Sequence, residues 1–189
     1  MTQNLQALVV FADPSLHRSR ISRRVAEAAA SLPGVQVQDL YQLYPDLYID
    51  VRRERALLLE APLVVFVFQM AWYAMPALMK EWCDTVLKPE WAGAQGRLSG
   101  KTVFAAVACN SRHDDYRAGG MHGRPLADFL VPLAQTARAC GMAWLEPHVF
   151  YGADHPEQAA ADDHAAQLRR LLAEHAGLDL TSAGAAHGT

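Results

Sequence analysis

Leu63 to Phe68 reads LVVFVF, six apolar residues without interruption, rich in branched and aromatic side chains. A strand of this composition leaves no face for water, so helices must cover it above and below, which is the condition of a central strand in a parallel sheet. On its C-terminal side, Leu78, Met79, Trp82, Cys83, Val86 and Leu87 share one helical face behind Pro76, with Lys80, Glu81, Asp84 and Lys88 opposite. On its N-terminal side, Ala7 to Ala12 (ALVVFA) is a second buried strand ending at Asp13-Pro14. From Ser19 onward, Ile21, Val25, Ala28, Ala29 and Leu32 recur at helical spacing until Pro33-Gly34. Val35, Val37 and Leu40 alternate with Gln36, Gln38 and Asp39, as in a strand with one wet side at or near an edge.

Further along, Thr102 to Cys109 (TVFAAVAC) predicts another buried strand behind Gly100-Lys101. Asn110 to Pro125 follows, a polar, glycine-containing stretch of the length that is usually functional or mobile. A helix is expected from Pro132 to Gly141, a fifth strand over Val149 to Tyr151, and a helix over Pro156 to Ala176 with Ala161, Ala165, Leu168 and Leu172 inward and Gly177 at its C-terminal cap. Strand and helix therefore alternate, giving an α/β class with a parallel sheet and helices on both faces. One domain is expected over 1–180, with a frayed tail over 181–189. The 189 residues suit a single core, and 51% apolar against 20% charged residues exclude general disorder. A net charge of −3 supplies no broad positive field, so nucleic acid is not expected as a partner. Cys83, Cys109 and Cys140 are too scattered for a disulfide framework or zinc knuckle and read as reduced, buried thiols. With no basic leader segment and no apolar run long enough for a bilayer, the expected location is cytoplasmic.

In such sheets a ligand sits beyond the carboxyl ends of the strands where the strand order switches. Three loops reach that point. The first, from Asp13 to Ser22, lacks both G-x-G-x-x-G and a Walker-type glycine loop, yet offers Ser15, Ser19, Ser22, Arg18 and Arg20 at a helix N-terminus, where free amides and the macrodipole favour a phosphate. Ser19 as a simple N-cap and the arginines as a solvated face explain the same residues. The second, Gln69 to Pro76, sets Trp72 and Tyr73 among free backbone amides; a flat heteroaromatic ring could stack there, and so could ordinary core. The third begins Cys109-Asn110-Ser111-Arg112-His113 and continues through Tyr116 and His122, a set of proton donors equally compatible with a surface loop. His113-Asp114-Asp115 with His122 has no recognised metal spacing, so no metal is expected. Cys109, without a neighbour that would lower its pKa, reads as a packed thiol.

Taken together, Leu40 to Asp46 (LYQLYPD) with Ile49-Asp50, Trp72-Tyr73 with Pro76 and Leu78, Lys80 and Trp82, Trp91, Gly100-Lys101, Pro132-Leu133, Thr136 and Cys140-Gly141 resemble the flavodoxin-like NAD(P)H:quinone oxidoreductase family over about 8–172. Within it, the likeness is closest to the ancillary flavoproteins of glutathione-regulated potassium-efflux systems. The resemblance implies a flavodoxin-like three-layer sandwich, its five-stranded parallel sheet in the order 2-1-3-4-5. It further implies FMN (alternatively FAD) with NAD(P)H as co-substrate, a quinone as acceptor and a homodimer. By position, Arg18, Ser19, Arg20, Ile21 and Ser22 would hold the flavin phosphate. Met70, Ala71, Trp72 and Tyr73 would line the ring, and Ala108, Cys109, Asn110 and Ser111 would close its other side; Tyr116 and His122, from the third loop, are the expected proton donors in that mechanism. The chain departs from the family pattern at Asp13, at Gln69 where proline is common, and at Asn110-Ser111-Arg112 in place of a glycine-rich run. The resemblance also permits a second role, docking on a membrane potassium-efflux protein at the inner face of the cell membrane, with redox activity secondary or lost.

Overall fold

The computed structural model describes residues 4–14, 20–93 and 96–178, and of Arg20 the backbone alone. The sheet begins with β1 (Ala7–Ala12), β2 (Val35–Asp39), β3 (Leu63–Gln69) and β4 (Thr102–Cys109), all parallel, in the order β2-β1-β3-β4. The fifth position is shared by two short strands, β5 (Ala143–Trp144) beside the start of β4 and β6 (His148–Tyr151) beside its end. Pro147 between them has no amide hydrogen to give the ladder, which accounts for the break. The sheet thus has six strands, while the spatial order 2-1-3-4-5 stands.

Period-two alternation divides the strands between two layers. Leu8, Val10, Val64, Phe66, Phe68, Val103, Ala105 and Val107 enter one core, beneath α2 (Leu40–Leu43), α3 (Val51–Glu60), α4 (Ala77–Val86) and α6 (Val131–Ala139). Val9, Phe11, Val65, Val67, Phe104 and Ala106 enter the other, beneath α1 (Arg20–Ala30) and α7 (Gln158–Ala176). β3 is buried along Leu63–Phe68, as its composition demands. β2, at the edge, is mostly half-buried. The three cysteines are free and buried.

Leu40 does not extend β2. Asp39 accepts a hydrogen bond from the Gln42 amide at 3.3 Å and caps α2 instead. The crossover to β3 is completed by α3, whose short, charge-rich sequence carries only a weak apolar stripe. Its anchors are tertiary. Asp50 caps it by accepting from the Arg53 amide, and Lys101 Nζ donates to the Leu59 and Ala61 carbonyls at its C-terminus. Arg55 donates to the Val86 and Thr85 carbonyls at the end of α4 and lies over the Trp91 ring. At the centre, the fully buried Glu54 carboxylate accepts from Tyr44 Oη at 2.6 Å and from Trp82 Nε1 at 2.9 Å. Leu40 and Tyr44 of LYQLYPD, with Trp91 and Lys101, are thus engaged in this crossover.

The segment after β4 is compact rather than loose. It turns through a short 3-10 helix at His113–Asp115, and Arg112 and His122 donate their amides to Asp115 Oδ2 and the Asp115 carbonyl. A short α5 (Leu126–Phe129) follows, and Tyr116 is buried against the core. The expected tail over 181–189 lies outside the described residues.

Candidate active site

At the C-terminal rim of the sheet, the loops after β1, β3 and β4 surround an open cleft of about 1170 Å³. Its lining includes Asp13, Met70, Ala71, Trp72, Tyr73, Asn110, Ser111, Tyr116 and His122. Ala153 to Pro156, after β6, form a fourth wall that the sequence reading did not include. That wall is tied in by Gly152 and Ala153 amides donating to the Ser111 and Cys109 carbonyls. The signal was available: every parallel strand delivers its following loop to this same rim.

The loop after β3 is a tight hairpin. Ala71 and Ala74 exchange backbone hydrogen bonds of 3.2 Å, and between them Trp72 (φ 49) and Tyr73 (φ 64) both occupy the left-handed region. Two successive positive φ values define a type I′ turn, normally given to Asn and Gly. Met70 donates to the Ala108 carbonyl, so the expected run of free amides is interrupted, and those of Trp72, Tyr73 and Met75 are left without a backbone partner among the described residues. Trp72 is 92% exposed, which settles the choice between core packing and a free wall. Tyr73 instead stacks on Phe129 with ring centroids 4.9 Å apart and places its hydroxyl 3.3 Å from His122 Nδ1.

Behind this turn, Tyr116 lies 4.2 Å from the His122 ring, centroid to centroid. Burial pushes the Tyr116 phenol upward, reinforced by the neighbouring Cys109, so the group stays a neutral proton donor at physiological pH. Burial also pushes the Cys109 thiol up to about 11. Cys109 is thus a packed thiol, and Ala108 is buried beside it. His122 Nε2 is buried without a hydrogen-bond partner among the described residues. So is Ser22 Oγ in the first turn of α1.

Of the expected phosphate residues, Ile21 and Ser22 are buried at the start of α1. Arg18, Ser19 and the side chain of Arg20 lie outside the described residues. Asp13 is buried at the end of β1. Burial raises the nearby Asp39 carboxyl, with Asp13 adding to the effect and Arg23 opposing it. The other two departures from the family pattern meet each other: Gln69 Nε2 donates to Asn110 Oδ1 at 2.7 Å.

Residues 6–172 match a family described as having a flavodoxin-like fold. An ancillary protein of the glutathione-regulated potassium-efflux system, KefG of Cronobacter sakazakii, is 35% identical over 92% of this chain and 96% of its own. The uncharacterized NAD(P)H oxidoreductase YrkL of Bacillus subtilis is 34% identical over 90% of this chain and 100% of its own. Among solved structures, general stress protein 14 of Treponema denticola, in complex with FMN, superimposes with a TM-score of 0.80 at 29% identity, covering 92% of this chain and 99% of that one. The sheet order, the rim cleft and relatives matched over nearly their whole length agree, and the chain belongs to the flavodoxin-like NAD(P)H:quinone oxidoreductase family.

Proposed function

We propose that the protein is a flavin-dependent NAD(P)H:quinone oxidoreductase that binds FMN in the rim cleft. The observation that carries this reading is the cleft itself, with an exposed Trp72 held up on a strained turn in its wall, and with His122 Nε2 and, in the first turn of α1, Ser22 Oγ buried without partners among the described residues. A volume of about 1170 Å³ admits a tricyclic ring with its ribityl phosphate and leaves room for a second planar ring. The unpaired atoms fit a polar ligand, since orphaned buried groups cost stability unless a ligand satisfies them.

Met70 to Tyr73 would hold the ring, with the Trp72 and Tyr73 amides as donors to its polar edge; Asn110 and Ser111 would bound the opposite side. The first turn of α1, with Ser22, would receive the phosphate together with Arg18, Ser19 and Arg20. Bound flavin supplies hydride acceptance from NAD(P)H and two-electron delivery to a quinone. His122, fixed through Nδ1 by Tyr73, lines the cleft and stands beside the negative charge that would develop there. Tyr116 keeps its proton available beside it. Alternating occupancy of one site by nicotinamide and quinone gives ping-pong kinetics.

Exposed Trp72, Met121 and Val131 support the homodimer reading, in which a second copy covers them. The likeness to KefG favours a further role, docking on a membrane potassium-efflux protein from the cytoplasmic side. The decisive experiment is the visible spectrum of the purified chain with the released cofactor identified, followed by NAD(P)H oxidation with a quinone. A flavin spectrum with FMN released is expected. A colourless protein that also rejects added FMN and FAD overturns the enzyme reading and leaves the docking role, tested by binding to a transporter's cytosolic domain.

A further inference from the structure

Gln69 ends β3, in register with Ala108 of β4, and Asn110 stands two residues beyond Ala108 on the neighbouring strand's loop. Both side chains line the cleft, and the 2.7 Å hydrogen bond from Gln69 Nε2 to Asn110 Oδ1 bridges the two central loops. A side-chain amide has one oxygen and one NH₂ group. With one lone pair of Oδ1 taken by Gln69, the side of the exposed Asn110 amide turned away from Gln69 is its NH₂ group, whose two hydrogens remain to be donated.

We infer that Gln69 and Asn110 form a positioning pair in which Gln69 fixes the orientation of the Asn110 amide, so that Asn110 donates from Nδ2 to the bound flavin and favours its reduced state. This rests on the flavin reading above. The chemistry is that of a donor aimed at developing charge: reduction places negative charge on the pyrimidine end of the ring, and a donor bonds an anion more strongly than a neutral acceptor. A glycine offers at this position only its backbone. The side-chain amide adds donors, and Gln69 keeps them from rotating away.

The test uses the full-length chain reconstituted with FMN, reading the affinity for oxidised flavin and the two-electron midpoint potential by dye equilibration. Asn110→Leu removes the donors at similar size. It is expected to weaken the preference for reduced over oxidised flavin about tenfold, since a bond to a charged group is worth that much, and so to lower the potential by about 30 mV. Asn110→Asp, which supplies acceptors and a like charge, is expected to lower it further. Gln69→Leu is expected to lower it by less than Asn110→Leu, and to change nothing in an Asn110→Leu background, the non-additivity that separates positioning from mere structural support.

A potential that stays put or rises in Asn110→Leu, with FMN still bound, overturns the pair's role and leaves the flavin reading standing. Full additivity of the two substitutions overturns the positioning role of Gln69. Failure of the wild-type chain to bind FMN or FAD overturns both readings together.

Discussion

Trp72 and Tyr73 show how a single backbone choice can serve a site at a cost. Each non-glycine residue in the left-handed region carries roughly 1–2 kcal/mol of strain. Here that strain is held by the Ala71–Ala74 bridge and by Tyr73 packing on Phe129. Trp72→Ala and Trp72→Gly both remove the indole and should weaken FMN binding about tenfold or more in a fluorescence titration. They should differ in stability: the glycine variant is expected to melt a few degrees above the alanine variant, because only glycine relieves the positive φ. Equal melting temperatures would mean the turn is not strained. At Tyr116, replacement by Phe keeps the packing and deletes the proton donor. Quinone turnover should fall about a hundredfold with little change in NAD(P)H affinity, read by steady-state kinetics. Because burial raises this phenol, the wild-type rate should show no loss from its ionisation below about pH 10.

At the scale of elements, the segment between β4 and α5 is built around close approaches. A Cβ on Gly120 would stand 2.6 Å from the carbonyl oxygens of Asp114 and Asp115, so that position requires glycine. Gly120→Ala should displace the turn that carries Tyr116 and His122. It should lower turnover tenfold or more while costing about 1–3 kcal/mol of stability, compared by kinetics and urea unfolding. A second lesson lies in α3, which the apolar pattern leaves unmarked. Its helix exists because Asp50, Lys101 and the buried Glu54 hold it at both ends and the middle. Hydrogen bonds from residues up to 42 positions away have no local signature in sequence.

For the whole molecule, buried titratable groups bound the pH range of stability from both sides. His148 and His164 stack with centroids 3.9 Å apart between β6 and α7, and burial, with His148 adding to it, pushes His164 down to about 3. The unfolded chain therefore takes up a proton near pH 6.5 that the folded chain refuses, so stability falls as pH drops from 6.5 towards about 3. His164→Phe, which keeps an aromatic ring there, should flatten that slope in urea unfolding measured across the window. On the alkaline side, burial raises Cys109 from 9 to about 11, and burial and Glu54 raise Tyr44 above its usual 10. The folded state holds these protons while the unfolded state loses them. Stability should accordingly decline above about pH 9, and more steeply above 10.

Composition and periodicity by themselves determined the α/β class, the central position of LVVFVF, the edge strand and the inward face of α7, because burial on two faces, on one face, or at helical spacing each demands its own pattern of side chains. The resemblance supplied the sheet order and the family. Only the folded chain decided that Trp72 stands in solvent on a left-handed turn, that Leu40 opens a helix, that the fifth strand breaks at Pro147, and that Gln69 meets Asn110. Each of these depends on contacts or backbone angles set by residues distant in the chain, which no local reading of side-chain character contains.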